Sequence, residues 1–398
     1  MDAVARLMRS LEPDMIRLRR EIHRTPELAF EESTTGARLS ERLGSLGLSI
    51  REGVGGTGLL ADLDGAAPGP RLLVRAEMDA LPITEATGLE FASGVPGVMH
   101  ACGHDAHMAA AVGAATALVE LRDRLAGSVR FCFQPAEEIL AGAKAMIDDG
   151  ALDGVDRVLG GHVLASAPVG TVLNVPGPFL AGADFFELVV TGRAGHGGMP
   201  ESTVDAVLAA AHVVSALQSI VARETRPGER LVVSITAING GSAANVVTDT
   251  VRLRGNLRWF SEENRYRALD RIQSVASGVC AALRASSELT VTASVPVSVN
   301  AVEELDVVEA ATAATGRAVS VDSGPITASD DWARFSELRP GAFFHVGAGG
   351  SGARPHHHPA FDIDESAIGL LSELFVRSAI AHLAPADRGP IRAQGELG

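Results

Sequence analysis

Between residues 58 and 162 short apolar runs alternate with helical stretches, and this alternation constrains the fold more than any other feature of the chain. Residues 58–62 and 71–75 read as strands on either side of a Gly/Pro turn. Residues 128–134 read as a third, stopped by Pro135, and 157–162 as a fourth. Among them lie an Ala-rich helix at 108–121 and a short helix at 142–149. Upstream, Leu11, Met15, Leu18 and Ile22 recur at helical spacing in an amphipathic segment that Pro26 ends, and a second helix at 35–46 stops at Gly47. Strands alternating with helices predict an α/β fold whose mostly parallel sheet carries helices on both faces.

The rhythm changes near Phe179. Residues 185–191 alternate as a half-buried strand, 231–238, 250–260 and 289–297 read as further strands, and 202–221 and 262–284 as helices. That pattern fits a compact α+β module of antiparallel strands with two helices on one face. The α/β pattern resumes with a helix at 302–315. The reading is a metal-binding catalytic domain made of residues 1–179 and 298–398, interrupted by an inserted α+β domain at 180–297. A chain of 398 residues is long enough for this division. The polar tail from Ala384 is expected to fray.

Reactive side chains collect where the strands end. The stretch Met99-His100-Ala101-Cys102-Gly103-His104-Asp105-Ala106-His107 holds a thiol, three imidazoles and a carboxylate. Cys102 and His104, two apart, do not share a helix face. They can converge in a turn, where Gly103 permits an unusual backbone angle. Asp105 reads as the N-cap of the following helix. A soft thiolate beside an imidazole suits zinc or another first-row divalent metal. Three further loops carry metal-capable groups: Gln134-Pro135-Ala136-Glu137-Glu138, His162, and His356-His357-His358-Pro359 ahead of Phe361-Asp362-Ile363-Asp364-Glu365. Open α/β sheets place their sites beyond the carboxyl ends of the strands, so the four loops are expected to meet. Singly, each has a plain structural explanation: a buried Cys, a solvated Glu pair, a core His, a chance His cluster. Their coincidence at strand ends is what points to a metal centre.

Charge narrows the partners. With 49 acidic against 34 basic residues and a net charge of -15, the chain lacks the excess of cations that nucleic-acid binding needs. Three scattered cysteines do not make a disulfide framework, which points to a reducing, cytoplasmic setting. Residues 1–20 are charged throughout, without the apolar core of a signal peptide, and the run at 108–121 is too short to span a bilayer. No membrane partner is expected.

Longer motifs carry a resemblance. They are Leu18-Arg19-Arg20-Glu21-Ile22-His23 with Pro26-Glu27-Leu28, Arg75-Ala76-Glu77-Met78-Asp79-Ala80-Leu81-Pro82, the stretch from Met99 to Asp105, and residues 134–138. Gly195-His196 with Pro200, and residues 361–365, complete the set. Together they run almost from end to end. The chain resembles the di-metal amidohydrolase family that includes hippurate hydrolase, N-acyl-amino-acid aminoacylases and auxin-conjugate hydrolases.

The resemblance implies two divalent metal ions per subunit, Mn²⁺ or Zn²⁺ with Co²⁺ or Ni²⁺ as alternatives. Their ligands would be Cys102 as the bridge, His104, Glu138, His162 and, two residues before Pro359, His357. Glu137 would be the general base, taking a proton while its neighbour binds metal. The inserted domain would be a lid that also dimerises, with a tetramer as the alternative. His196 would stabilise the oxyanion in the partner's site, and Asn245 and Arg258 would bind substrate. The activity implied is hydrolysis of the amide of N-acyl amino acids by metal-activated water. A dipeptidase or aminopeptidase on the same site is the alternative. A catalytically silent conjugate-binding protein and a Cys protease built on Cys102 are weaker readings. Three features depart from the family: Glu77 where Asp is usual, Asp330 where Glu is usual, and His356 and His358 flanking the expected ligand.

Overall fold

The computed structural model describes residues 2–384, so nearly all of the tail expected to fray lies outside the described residues. The chain divides into two compact units. One holds Met1–Phe179, Val299–Gly324 and the chain from Asp330 onward, and the other Leu180–Ser298 with Pro325–Ser329.

The first unit is built on an eight-stranded sheet in the order Ser49–Val54, Gly58–Asp64, Ala126–Gln134, Ala67–Glu77, Arg157–Pro168, Gly341–Gly349, Thr171–Asn174, Val319–Asp322. The four central strands run parallel. They are apolar because both faces are covered: Leu72, Leu73 and Val74 are buried in succession, as are Phe343 and Phe344. Two adjacent glycines show the two layers. A side chain at Gly160 would strike Trp332, at the start of the helix Ala333–Leu338, whereas one at Gly161 would strike Leu371 of the helix Ser366–His382. Successive strand positions point to opposite faces, so those helices cover opposite sides of the sheet.

Helices Ala3–His23, His104–Glu120 and Ser366–His382 pack on one another. The middle one is buried nearly all round, which its alanines allow by keeping the helix thin. At Gly113 the contact leaves no room for even a Cβ, which would meet the Met15 sulfur. This helix starts at His104, earlier than the sequence suggests, and its N-cap is Gly103 at φ +96 rather than Asp105. The Asp105 carboxylate is instead taken by Arg19 Nε at 3.0 Å and His23 Nδ1 at 2.8 Å. A tertiary ion pair has displaced a local cap.

The second unit has a four-stranded sheet in the order Val232–Gly240, Thr250–Trp259, Gly182–Thr191, Ser286–Val295, antiparallel throughout. Helices Ala206–Ser219 and Glu262–Ala282 pack together on one face of it. Val251, Leu253, Leu257 and Trp259 are buried under them, while Arg252 and Arg254 are exposed on the other face. One helical stretch among the described residues, Ala206–Glu224, is long and apolar enough by composition to cross a membrane. It is not the run that the sequence singles out. Ala206, Ala209, Ala210, Val213 and Leu217 bury one side of it in this unit's core, as in an amphipathic domain helix.

Candidate active site

The site residues of the first unit gather beyond the carboxyl ends of the central strands. Two non-glycine residues, Ala136 at φ +53 and Leu140 at φ +58, hold left-handed conformations in the loop after Ala126–Gln134. Buried acids keep this loop in place. Glu32 accepts the Ala136 N–H at 3.0 Å. Asp79, just past the strand Ala67–Glu77, accepts the N–H of Glu137 with one oxygen and of Glu138 with the other, both at 3.0 Å. One carboxylate thus fixes the backbone of both glutamates.

The imidazoles differ in what their nitrogens are doing. His104 donates from Nδ1 to the Asp79 carbonyl at 2.8 Å and aims Nε2 at the glutamates, 3.9 Å from Glu137 and 4.0 Å from Glu138. His162 donates from Nδ1 to the Val163 carbonyl at 2.6 Å, and its Nε2 stands 3.5 Å from Cys102 Sγ. It lies inside the strand Arg157–Pro168, which runs past the end read from sequence. His357 has φ +64, and its Nε2 is 3.3 Å from Glu138 Oε1. His107 has no free nitrogen: Nδ1 binds Glu77 at 2.8 Å and Nε2 accepts the Val163 N–H at 2.9 Å. His358 Nδ1 accepts the Ala360 N–H at 2.9 Å.

The donors form overlapping groups, each with its ligand atoms within 4.8 Å of one another: Cys102, Glu138 and His357; His104, Glu137 and Glu138; Cys102, His162 and His356. His104 Nε2 and Glu138 Oε1 are buried without a hydrogen-bond partner. A cation would satisfy both, and a mixed S, N and O donor set suits a first-row divalent ion. The residues present fit a metal centre.

Behind the glutamates lies a buried cationic hub. Arg75 donates to Glu77, to Gln134 at 2.9 Å, to Asp330 at 2.9 and 3.2 Å, and to Asp331 at 2.9 Å. Glu77 and Asp330, two of the departures from the family pattern, therefore meet on one guanidinium. One is a methylene longer than the usual residue and the other a methylene shorter. Burial alone would raise Glu77, but Arg75 and His107 outweigh it and hold that carboxyl well below its ordinary range. Glu137 goes the other way: burial, then the charges of Asp330, Glu138 and Asp331, push it well up. A raised carboxyl is suited to accepting a proton near neutrality.

Cys102 lies beside His162 rather than His104, which bears on the Cys-protease reading. Burial, then Glu138 and Glu137, raise the thiol well above its ordinary value, while burial and His107 push His162 well down. An unassisted thiolate–imidazolium pair is therefore disfavoured, and a nucleophilic Cys needs the opposite shift.

The second unit holds the other three sequence candidates. His196, in the two-residue strand Gly195–His196, pairs with Val246. Its Nδ1 accepts the Gly198 N–H at 3.0 Å, so the neutral ring carries its proton on Nε2 and can donate from there. The Asn245 carbonyl accepts the Gly197 N–H at 2.8 Å, which brings Asn245 to the same loop. Arg258 stands elsewhere, on Thr250–Trp259. It donates to Ser329 at 2.6 Å and to Asn256 at 3.2 Å and lies over the Phe185 ring. Among the described residues it has no carboxylate at ion-pair distance, and burial lowers its pKa.

The sequence by itself assigns no role to several residues that build the site: Glu32, Arg75, Asp79, His107, Gln134 and Asp331. Arg75 and Asp79 do lie in one of the long motifs, but a motif does not name a partner that comes from another strand.

The family model for peptidase family M20/M25/M40 matches residues 73–380. The chain belongs to peptidase family M20/M25/M40. This M20 chain is accordingly an amidohydrolase. It is 40% identical over 370 residues to the N-acetyl-L-cysteine deacetylase of Bacillus subtilis, covering 93% of this chain and 88% of that protein. It is 37% identical over 380 residues to thermostable carboxypeptidase 1 of Saccharolobus solfataricus, covering 93% of this chain and 96% of that protein. In three dimensions it is similar to the Bacillus subtilis YXEP protein, a dinuclear metal binding peptidase, with TM-score 0.82, 35% identity, and coverage of 94% of this chain and 99% of that one.

Proposed function

We propose that the protein hydrolyses the amide bond of N-acyl amino acids at a centre of two divalent cations held by Cys102, His104, Glu138, His162 and His357. The observation that carries this reading is the pair of buried atoms without a hydrogen-bond partner, His104 Nε2 and Glu138 Oε1, with the raised Glu137 carboxyl beside them. Bound metal supplies Lewis acidity, polarising the substrate carbonyl and acidifying water. Glu137 takes a proton from the attacking water and passes it to the leaving amine. Asp79 keeps Glu137 and Glu138 in register. His196 donates from Nε2 to the developing oxyanion, Arg258 takes the substrate carboxylate, and Asn245 helps orient the substrate. N-acyl amino acids are favoured because a relative of 40% identity is named for deacetylating N-acetyl-L-cysteine. The carboxypeptidase relative supports a peptidase reading on the same site. A panel of acyl-amino acids against dipeptides with free N-termini decides between them.

Chelator-stripped protein is expected to lose activity and to regain it with Mn²⁺ or Zn²⁺, and with Co²⁺ or Ni²⁺ as less favoured substitutes. The donor set discriminates only weakly among these ions. Full activity in protein shown by elemental analysis to be metal-free would end the metallohydrolase reading. We place the enzyme in the cytoplasm because all three cysteines are free.

The second unit is read as a lid that dimerises. Val207, Leu208 and Val221 are bare on the helical stretch Ala206–Glu224, which packs beside the edge strand Val232–Gly240, itself carrying exposed Ile238. An apolar helix face next to an open sheet edge suits a second copy of the chain. His196→Ala is expected to cost about 10²–10³ in kcat with metal content intact, the scale of one oxyanion donor. If His196 serves the partner subunit, mixing His196→Ala with Glu137→Gln protein gives heterodimers with one undamaged site, and activity partly recovers. Subunit exchange without recovery would show that His196 acts within its own chain or not at all.

A further inference from the structure

The His triplet contains one ring whose role the metal reading leaves open. We infer that His356 is a positioning residue, a strap that ties the Cys102 loop to the strand bearing His162 and so sets the spacing of two ligands. The inference rests on the metal centre proposed above.

Three observations carry it. His356 Nδ1 lies 3.2 Å from the Cys102 carbonyl oxygen, and its Nε2 lies 3.2 Å from the Ala165 N–H nitrogen. A carbonyl only accepts and an amide N–H only donates, so the ring must be neutral, with its proton on Nδ1 and its lone pair on Nε2. The ring sits between His162, centroids 5.4 Å apart, and Phe361, 4.8 Å apart, which limits its rotation. The next residue adds a parallel tie, since the His357 N–H donates to the Ala101 carbonyl at 2.8 Å.

Proximity alone would make His356 a ligand, because it groups with Cys102 and His162. Hydrogen bonding assigns it otherwise. Both ring nitrogens are engaged by backbone, so neither offers a lone pair to a cation. What the ring does control is the gap between Cys102 Sγ and His162 Nε2, 3.5 Å, through one backbone atom near each. The Cys102 loop needs such a hold, because it turns through Gly103 at φ +96, where the backbone is least restricted.

The test uses Co²⁺ alone, added to metal-free full-length protein. Its thiolate charge-transfer band reports Cys102, its d–d bands report the ligand count, and chelator competition gives the dissociation constant. His356→Leu keeps bulk but removes both hydrogen bonds. It is expected to weaken Co²⁺ binding by about 10–100-fold, the usual cost of losing an outer-shell partner, and to shift the thiolate band. His356→Gln, whose amide can both donate and accept, is expected to restore most of the affinity and the wild-type d–d spectrum. Wild-type binding in the His356→Leu variant would overturn the strap. So would a His356→Gln variant whose d–d bands show one nitrogen ligand lost, because His356 would then be a ligand. If the His356→Leu protein does not fold, the spectrum of the His356→Gln protein still decides. Wild-type protein giving no thiolate band would sink the metal reading itself, and the strap with it.

Discussion

Glu137→Gln is expected to leave metal content nearly unchanged and to lower kcat by about 10²–10⁴-fold, the range for a general base. The substitution is close to isosteric. The backbone N–H groups of residues 137 and 138 stay on Asp79, so the loop that carries strained Ala136 keeps its anchor. What is lost is the proton acceptor, the carboxyl that burial and three acidic neighbours hold well above its ordinary range. Glu138→Ala should behave differently. It deletes the oxygen that stands 3.3 Å from His357 Nε2 and 4.0 Å from His104 Nε2, so metal occupancy falls first and activity follows. Metal analysis beside kcat at saturating substrate separates the two effects. Equal metal loss in both variants would refute the division of labour between the glutamates.

Arg75→Met is expected to destabilise the first unit by about 3–5 kcal/mol, because removing one partner of a buried charge network leaves the others unpaired. Glu77, Asp330 and Asp331 all lose their cation, and Gln134 loses a donor. The chain's two tryptophans make the measurement clean: Trp332 lies in this unit and Trp259 in the other. In a Trp259→Phe background, denaturant unfolding followed by fluorescence reports the first unit alone. Burial raises Asp331 to about 7 from its ordinary 3.8 even with Arg75 present. Without Arg75 the carboxyls of Asp330 and Asp331, already raised by burial, rise further above their unfolded values, and Glu77 loses the main charge that holds it low, so the folded state holds protons that the unfolded state has released. The deficit should therefore widen as pH rises from about 5 to about 8. A loss below about 1 kcal/mol, or one that narrows over that range, would contradict the network. Arg75→Lys should fall between, since it keeps the charge but not the planar fork.

Much that the sequence alone determines about this chain is local. The strand–helix rhythm before residue 162 follows from short-range patterns of apolar residues, and the central strands read as continuous apolar runs because both faces are covered. The change of rhythm near Phe179 is local in the same sense. The adjacency of Glu137 and Glu138, and the Cys102-Gly103-His104 turn, put reactive groups at strand ends wherever the chain goes next. Helix starts are local too, yet Asp105 shows the limit: a good capping residue gives up its cap when Arg19 and His23, more than 80 residues away, offer a buried ion pair. Only the tertiary structure decided what each polar side chain does. Three histidines in a row look alike as letters. Yet His356 has both ring nitrogens on backbone, His358 holds its own turn, and His357 turns Nε2 to Glu138. Arg75 and Asp330 are 255 positions apart and form one hub. The reason is physical. A hydrogen bond depends on placing, to within a few tenths of an ångström, groups that the chain brings together only after it has folded, and no local pattern encodes which lone pair is left free.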